Sequence, residues 1–366
     1  MSIDEKLNNM KPKDTPLLVL GYVILGMMLL LSPNASADNI INIDQAGSSL
    51  ELDITQSGSG NKIGHLNNIS LDAVISGNNK DIDFTMDGKN NQIKTWSNGS
   101  DQIIFADIEG DSNTVAMDNH GDDNKLYYWG VGDSNIAWLE IGNNNDNDNQ
   151  IDLRQYGDSH YAYLETNDDY NDIDAFQGGG QDDNYIKVLI NSGSSNDVTA
   201  WQGKHSDGTT DTDEVGDHTG YWIVSGDSNV LKSYQTDTNR QGGGGAGHHF
   251  ANYITGDSNV VTHTQKGKAG HDGFIEITGD SNTVDLYQKG NNGVKWADLV
   301  LDGNGQALDV TQKGGQNATA AIDLTYGTAA YDFTLLQEAT TNALSYSITG
   351  TCYTAGGCQV TVTQSN

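Results

Sequence analysis

Residues 279–288 read GDSNTVDLYQ, a tight turn followed by an Asn-to-Gln phrase in which every second residue is apolar or a carboxamide. The phrase has the form N-x-Φ-x-Φ-x-Q, where Φ is an apolar or small residue. Further copies occupy 149–155, 171–177, 196–202, 229–235 and 259–265, at intervals close to two or three times eleven residues. Looser copies occupy 113–119, 306–312 and 358–364. Self-similarity of this kind predicts a repeat architecture.

The alternation within each copy predicts a β-strand. Residues two apart share one face of a strand, so Asn282, Val284, Leu286 and Gln288 lie on the same side. That face is apolar in its middle and carries a carboxamide at each end, whereas the opposite face holds polar residues such as Asp285. A helix would distribute the same residues around its circumference. The strand interpretation is therefore favoured.

A second strand follows each of the later copies. These strands begin near Phe250, Phe274, Ala297, Ala321 and Leu344, at intervals of 24, 23, 24 and 23 residues. Each unit is then strand, tight turn, strand, tight turn. We expect an all-β fold in which each unit forms one coil of a single-stack β-solenoid, with about thirteen coils of ~22–24 residues between Ile41 and Gln364.

The inward carboxamides are the main candidate structural residues. A buried carboxamide is costly unless its donors and acceptors are satisfied, and the same position on every coil lets each Asn or Gln bond to its neighbours. We expect such ladders to set the register of the stack. Solvated surface Asn and Gln are the alternative, which their strict parity with apolar positions disfavours. The predicted ladder residues are Gln45, Gln56, Asn61, Asn113, Asn135, Asn149, Gln155, Asn171, Gln177, Asn196, Gln202, Asn229, Gln235, Asn259, Gln265, Asn282, Gln288, Gln312, Gln337 and Gln364.

Residues 49–61, SLELDITQSGSGN, resemble the first half of the curlin repeat, S-x5-Q-x-G-x-x-N-x5-Q. Six residues instead of five separate Ser49 from Gln56, and the Q-x-G step recurs at 45–47, 288–290 and 312–314. Replacements of the Gln are expected at Gly130, Ile141 and Ile190. The resemblance to curlins, the subunits of bacterial curli fibres, covers most of the chain after residue 37. It implies an amyloid fibre subunit of the biofilm matrix, a second curlin subunit as partner, and an outer-membrane secretion pore.

The N-terminal residues predict an export signal. Lys6, Lys11 and Lys13 precede the apolar run 17–31, and the small residues 35–37 form a cleavage site. We therefore expect 1–37 to be a signal peptide and 38–366 to be a single repeat domain, exported through the periplasm to the cell surface. The alternative, a retained anchor, needs about 20 apolar residues, and this run is shorter. No membrane insertion is expected after cleavage.

The chain is strongly acidic, with a formal net charge of −32. Nucleic acid is therefore excluded as a partner, and the charge should keep unassembled subunits apart. Turn aspartates form a regular line: Asp111, Asp133, Asp227, Asp257 and Asp280. Weak Ca²⁺ binding along this line is the alternative to solvated turns. Because the sequence contains neither the EF-hand pattern nor the GGxGxD repeat, we expect no cofactor and no dedicated metal site.

The only two cysteines, Cys352 and Cys358, flank a short loop near the last strand. In an exported chain we expect them to form a disulfide. Two insertions interrupt the period, near 204–220 and 236–249, and predict loops at the corners of the solenoid.

One outward strand position is repeatedly aromatic and predicts a contact stripe for fibre bundling or carbohydrate adhesion. The alternative, favoured by the sequence, is ordinary β-propensity. The stripe residues are Trp96, Trp129, Phe176, Trp201, Tyr234 and Tyr287. His248, His249 and His271 lie near one another by register, and we expect them to be separate surface histidines.

These features favour a secreted structural subunit that polymerises head to tail, with itself as principal partner. The alternative is a monomeric β-solenoid adhesin that binds carbohydrate or divalent cations. An enzyme is disfavoured, because a polysaccharide-cleaving β-helix needs clustered basic and acidic residues, and the basic residues here are few and scattered.

Overall fold

The structure is a computed structural model that describes residues 40–64, 72–121, 123–142, 148–167, 170–178, 184–203, 218–236, 248–267, 270–290, 293–314, 317–324, 331–339, 344–350 and 358–365. They belong to one compact unit, Ala37–Asn366. Within them the chain forms 28 β-strands and no helix, which confirms the all-β prediction. No helix among the described residues is therefore available to span a bilayer. The predicted signal peptide lies outside the described residues.

The strands form two parallel sheets, A and B. Sheet A has fifteen strands. They are β1 (Ile40–Asn42), β2 (Asp44–Ala46), β4 (Lys62–Gly64), β5 (Ala73–Ser76), β7 (Ile93–Asn98), β9 (Val115–His120), β11 (Ile136–Ile141), β13 (Tyr161–Thr166), β15 (Asn184–Ile190), β17 (His218–Ser225), β19 (His248–Thr255), β21 (His271–Thr278), β23 (Lys295–Asp302), β25 (Ala318–Leu324) and β27 (Leu344–Gly350).

Sheet B has thirteen strands, which alternate along the chain with those of sheet A. They are β3 (Leu50–Gly58), β6 (Lys80–Gly88), β8 (Gln102–Glu109), β10 (Lys125–Val131), β12 (Gln150–Tyr156), β14 (Asp172–Gly178), β16 (Asp197–Gly203), β18 (Val230–Thr236), β20 (Val260–Gly267), β22 (Thr283–Gly290), β24 (Ala307–Lys313), β26 (Asp332–Glu338) and β28 (Gln359–Ser365).

Each strand pairs in parallel with the strand one coil away, so equivalent residues of successive coils lie side by side. Gln265, for example, pairs with Gln288, and Phe250 with Gly273. Eleven coils, from β6–β7 to β26–β27, have one unbroken strand in each sheet. The β-solenoid is thereby confirmed at about eleven turns, close to the predicted number of coils.

The core lies between the two sheets. Alternation buries every second side chain, as with Val284 and Leu286 on β22, while Asp285 between them is exposed. Large side chains are accommodated by small neighbours: a Cβ at Gly273 would lie 2.4 Å from the ring of Phe250 on the preceding coil. The core is therefore closely packed along the stack as well as across it.

The G-D-S-N turns require glycine for two reasons. Gly256 has φ +130°, a conformation that L side chains rarely adopt, and a Cβ there would lie 2.3 Å from the carbonyl oxygen of Gly226 on the preceding coil. The serine of the turn is also left-handed, with φ 61° at Ser258. The turns thus stack as closely as the strands.

The predicted insertions fall mostly outside the described residues. The structure places the start of β17 at His218 and the start of β19 at His248, so the last residues assigned to each insertion are strand residues. Thr236 is likewise the last residue of β18.

Candidate functional site: polar ladders and open ends

Nine glutamines form one continuous ladder on sheet B. After the first member, Gln155, the Nε2 atom of each donates a hydrogen bond to Oε1 of the glutamine one coil earlier, over distances from 2.6 Å (Gln364 to Gln337) to 3.4 Å (Gln202 to Gln177). The ladder consists of Gln155, Gln177, Gln202, Gln235, Gln265, Gln288, Gln312, Gln337 and Gln364.

The same amide groups also link the two sheets. Gln288 Nε2 donates a second hydrogen bond, 2.9 Å long, to the carbonyl oxygen of Trp296 on sheet A, and Gln337 bonds in the same way to Ser345. Both donors of these carboxamides are thus used, although the side chains are buried. These hydrogen bonds therefore offset the cost of burying the carboxamides, and they join sheet B to sheet A within each coil.

Toward the N-terminus the ladder gives way to other residues. The register places Gly130, Ile108, Met86 and finally Gln56 in the column of Gln155. A Cβ at Gly130 would lie 2.3 Å from Tyr128 Oη, so the tyrosine occupies the space of the missing side chain. Gln56 is buried but lies opposite Met86, not opposite another glutamine.

Three residues named from the sequence lie elsewhere. Ile141 and Ile190 belong to β11 and β15 of sheet A, so they do not replace ladder glutamines. Parity alone does not reveal which of the two strands in a coil a residue occupies. Gln45 is half-buried on β2 of sheet A, where its amide donates to the carbonyl oxygen of Ala46.

An asparagine ladder lies at the corner that precedes the sheet B strands. The backbone N–H of Asn171 donates to Oδ1 of Asn196, at 2.8 Å, and Asn229 bonds to Asn259 in the same way. These bonds satisfy backbone donors of the turns from the asparagine side chains of the neighbouring coil. Its members are Gln102, Asn124, Asn149, Asn171, Asn196, Asn229, Asn259, Asn282 and Gln306.

A third column, which the sequence patterns did not separate, lies at the corner that precedes the sheet A strands. It includes the predicted Asn61, Asn113 and Asn135, and beyond them, as far as Lys295, histidine and lysine replace asparagine at every position except Asn184. All of its members are buried: Asn61, Asn91, Asn113, Asn135, His160, Asn184, His218, His248, His271 and Lys295. We call it the histidine column.

The histidines of this column are stacked on one another. The rings of His218 and His248 are 4.8 Å apart, and those of His248 and His271 are 5.1 Å apart. His271 Nε2 donates a 2.9 Å hydrogen bond to the carbonyl oxygen of Lys289. The prediction of separate surface histidines is therefore wrong for His248 and His271, whereas His249 is exposed and faces Asp272.

Burial disfavours the charged forms of this cluster. It lowers the pKa of His271 to about 4, against the opposing effect of the Lys289 carbonyl, and Lys295 lowers it further. Burial also lowers the pKa of His263, which lies across the core at the ring of Phe250, and His248 and His271 add to that shift. The pKa of Lys295 is lowered by burial too. Burial therefore disfavours the protonated forms of His263, His271 and Lys295, which lie close together.

The turn aspartates form a ladder of their own. Oδ1 of Asp227 accepts the backbone N–H of Asp257 at 2.7 Å, and Asp257 and Asp280 accept from the next turns. Asp111 and Asp133 lie in turns that lead from sheet B to sheet A, whereas the other three lie in turns that lead from sheet A to sheet B, so the prediction of one line through all five aspartates is wrong. Among the described residues, no group of three or more His, Cys, Asp or Glu side chains is arranged to hold a metal ion. Weak Ca²⁺ binding stays a prediction.

The aromatic stripe is divided between the two sheets. Trp129, Phe176, Trp201, Tyr234 and Tyr287 share one outward column of sheet B, interrupted by Arg154 and Thr264. Trp201 and Tyr234 stack 3.9 Å apart, and Arg154 lies 5.4 Å from the ring of Trp129. Trp96 lies on β7 of sheet A beside His120, away from the stripe.

Cys358, just before β28, is disulfide-bonded. Cys352, its predicted partner, lies outside the described residues.

Both ends of the stack present unpaired strand edges within the described part of the chain. β28 is the last strand of sheet B and β3 the first. The inward positions of β28 are Val360, Val362 and Gln364, in the columns that begin on β3 with Leu52, Ile54 and Gln56. Val360 is 46% exposed and Leu52 is half-buried, although the members of their column between the two ends are buried. The β28 end therefore exposes apolar and carboxamide side chains, and the β3 end presents the half-buried Leu52 and Ile54 beside the buried Gln56.

No family model, curated protein or solved structure matches this chain.

Proposed function

We propose that this chain is a secreted structural subunit that assembles head to tail into extracellular, curli-like cross-β fibres. The observation that carries the proposal is the match between β28 and β3 at the two ends of the stack. Docking β28 of one copy onto β3 of the next sets Val360 beside Leu52 and Val362 beside Ile54. It also sets Gln364 beside Gln56, so that the carboxamide column continues across the junction.

Sheet A supports the same register. By column, Tyr346 and Ile348 on β27 correspond to Ile41 and Ile43 at the N-terminal edge. Tyr346 is 47% exposed, and docking would bury it. Both strands of the terminal coil thus gain apolar contact and backbone hydrogen bonds in one step.

Charge favours this junction over a contact between two N-terminal ends. Glu51 and Asp53 on β3 would face Gln359 and Thr361 of the next copy, which are uncharged. Within the chain, the same two acidic residues face Asp81 and Asp83. Two N-terminal ends brought together would meet acid against acid, so the head-to-tail arrangement is the less repulsive one.

A head-to-tail contact between unlike ends does not close, and therefore propagates a filament. The resemblance to curlins extends the proposal to a role in biofilm matrix, adhesion and cell aggregation. It also adds a second curlin subunit and an outer-membrane secretion pore as partners beside the chain itself.

The register is tested by intermolecular disulfide formation in chains that begin at Asp38. Thr55 and Thr363 are exposed neighbours of Ile54 and Val362. In the proposed junction their Cα atoms would lie ~4.8 Å apart, within disulfide reach. The variant Thr55→Cys/Thr363→Cys should give covalent oligomers on a non-reducing gel.

The matched control is Thr55→Cys/Thr361→Cys, which is two residues out of register and should remain uncrosslinked. Filaments of the unmodified chain, followed by electron microscopy and thioflavin fluorescence, should show a ~4.8 Å diffraction spacing. Equal cross-linking in both variants would refute the register. A chain that stays monomeric would refute the fibre, and would leave the monomeric adhesin for carbohydrate or divalent cations as the function to test.

A further inference from the structure

The outer face of sheet A carries a second aromatic surface, on the other side of the solenoid from the stripe on sheet B. Six successive strands, β11 to β21, contribute one side chain each to a row. The sheet A row consists of Trp138, Tyr163, Lys187, Tyr221 and Phe274, which share one outward column, together with Tyr253, which reaches over from the adjacent outward column because the column itself holds Ala251 on β19. At ~4.8 Å per strand the row is about 24 Å long.

Contacts between neighbours make the row continuous. The ring centroids of Trp138 and Tyr163 are 4.2 Å apart, and those of Tyr253 and Phe274 are 5.4 Å apart. Lys187 Nζ bridges the middle, 5.0 Å from the ring of Tyr163 and 5.7 Å from that of Tyr221. Tyr221 in turn lies 5.6 Å from Tyr253. The side chains therefore form one surface, not isolated rings.

The surface is accessible at Trp138 and Tyr253, whereas Tyr163 between its neighbours is buried. Trp138 is 45% exposed and Tyr253 is 36% exposed. Beside the row, Tyr161 is 37% exposed and stacks on Tyr185 with ring planes only 6° from parallel. An exposed aromatic surface of this extent on a polar protein indicates a contact site.

Carboxylates flank the row along one edge and at its end. Asp118, Glu140 and Glu165 occupy the adjacent outward column on successive coils, and Tyr163 Oη donates a hydrogen bond to Glu165. Burial raises the pKa of Glu140, and the charges of Asp118 and Glu165 add to the shift. Asp298 follows Phe274 on the next coil. The flanking negative charges repel one another and would gain from a cation.

We propose that the sheet A row binds a linear polysaccharide of β-linked amino sugars that carries protonated amino groups. Pyranose rings present flat C–H faces that stack on aromatic rings, and a pyranose is about as long as the spacing between strands. Protonated amino groups would be attracted both by the ring faces and by the flanking carboxylates. A second copy of this chain is the less favoured occupant, because face-to-face packing would bring the two acidic columns together.

The proposal does not depend on fibre assembly, since the row lies within one chain and away from both ends of the stack. It is tested by titrating the full chain from Asp38 with a hexamer of β-1,4-linked glucosamine at pH 6, at low and high salt. Tryptophan fluorescence and calorimetry report binding. The fully N-acetylated hexamer has the same rings without the charge.

We expect the glucosamine hexamer to bind, with an affinity that falls as salt rises, and the acetylated hexamer to bind at least tenfold more weakly. Trp138→Ala should reduce the affinity about tenfold or more, while Trp201→Ala on sheet B should leave it unchanged. Glu140→Gln should weaken binding and flatten the salt dependence, whereas Asp133→Asn, in a turn, should do neither. Thermal unfolding verifies that each variant is folded.

Absence of binding would overturn the proposal, as would equal sensitivity to Trp138→Ala and Trp201→Ala. Equal affinity for the two hexamers would overturn the requirement for a cationic sugar. Sedimentation that shows dimers lost on Trp138→Ala would assign the face to a second copy of the chain instead.

Discussion

His248 lies over His271 of the neighbouring coil, with ring centroids 5.1 Å apart and ring planes 15° from parallel. His271 is also next to Lys295 in the column, and His263 faces the pair from sheet B. His248, His271 and Lys295 at this corner, and His263 across the core, therefore lie together in a buried region where a positive charge would be poorly solvated.

This corner predicts loss of stability in acid. The pKa of His271 is about 4 when folded, against an ordinary value of 6.5, so the unfolded chain binds the proton more readily. The free energy of unfolding is therefore unaffected by protonation of His271 above about pH 6.5. As the pH falls from 6.5 toward 4, it decreases by roughly 3 kcal/mol at most. Thermal unfolding at pH 7 and pH 4.5 measures the loss.

The variant His271→Asn removes the titrating group and keeps a side chain that the column already contains at Asn184. It should unfold at a less pH-dependent temperature than the unmodified chain. His249→Asn is the control, because a hydrogen bond to Asp272 raises the pKa of His249 and gives the opposite sign. If His271→Asn and the unmodified chain lose stability in parallel, the histidine column is not the acid-sensitive element.

The N-terminal coils should respond to acid in the opposite direction. Burial and the neighbouring Asp81 and Asp53 raise the pKa of Asp83 to about 6. An acid with a raised folded pKa destabilises the fold while it is ionised, and this penalty disappears as the pH falls through about 6 toward 3.8. Asp83→Asn should therefore raise the melting temperature at pH 7 and have a smaller effect at pH 5.

Asp87→Asn provides the comparison, since Asp87 is exposed on the same strand. This substitution removes the same formal charge, but outside the group formed by Asp53, Asp81 and Asp83. An equal gain from both variants would indicate relief of net charge alone, not relief of the contact between aspartates.

Breaking the glutamine ladder in its middle should be costly. In Gln265→Met, Gln235 Oε1 loses its donor, and Gln288 Nε2 loses one of its two acceptors and keeps the carbonyl oxygen of Trp296. Each unsatisfied buried group costs about 1–3 kcal/mol. Gln56→Met makes the same chemical change where the column neighbour is already Met86, and should cost less. Urea denaturation of both variants measures the difference, and equal midpoints would contradict a stabilising ladder.

Glycine at the turn can be tested with two alanine variants. Gly256→Ala combines a φ of +130° with a Cβ only 2.3 Å from a backbone oxygen, whereas Gly47→Ala has a φ of +126° and open space around it. Backbone strain alone costs about 1–3 kcal/mol, so Gly47→Ala should be destabilised to that extent and Gly256→Ala by more. Melting temperatures in the reverse order would show that stacking of turns is not what requires glycine.

The sequence predicted the strands and their inward faces because Asn, apolar and Gln positions share one parity, as in 282–288. It did not predict which of the two strands of a coil a phrase belongs to. Asn113 and Asn149 both begin a phrase of the same form, yet they lie at opposite corners, since Asn113 precedes β9 of sheet A and Asn149 precedes β12 of sheet B. For the same reason the sequence groups Trp96, which lies on sheet A, with the stripe residues of sheet B.

The histidine column was missed because its residue type changes along the stack. Asn135, His160, Asn184 and Lys295 are equivalent in space but not in chemistry, so no motif marks them. The sheet A row is concealed similarly, by Lys187 between two tyrosines. Only the register between strands brings these residues together.

Near the N-terminal end, one coil is divided between two short strands. β4 pairs with β7 through Ile63 and Ile93 alone, while β5 supplies four further pairs. Backbone hydrogen bonds between coils of a solenoid run along its axis. A force that pulls along the axis is therefore carried in series by the hydrogen bonds between each coil and the next. In a fibre of such subunits, the coil with the fewest backbone hydrogen bonds would set the force at which the fibre ruptures. We therefore expect a stretched fibre to open at the divided coil of each subunit, so that the opening events are spaced by the length of one subunit.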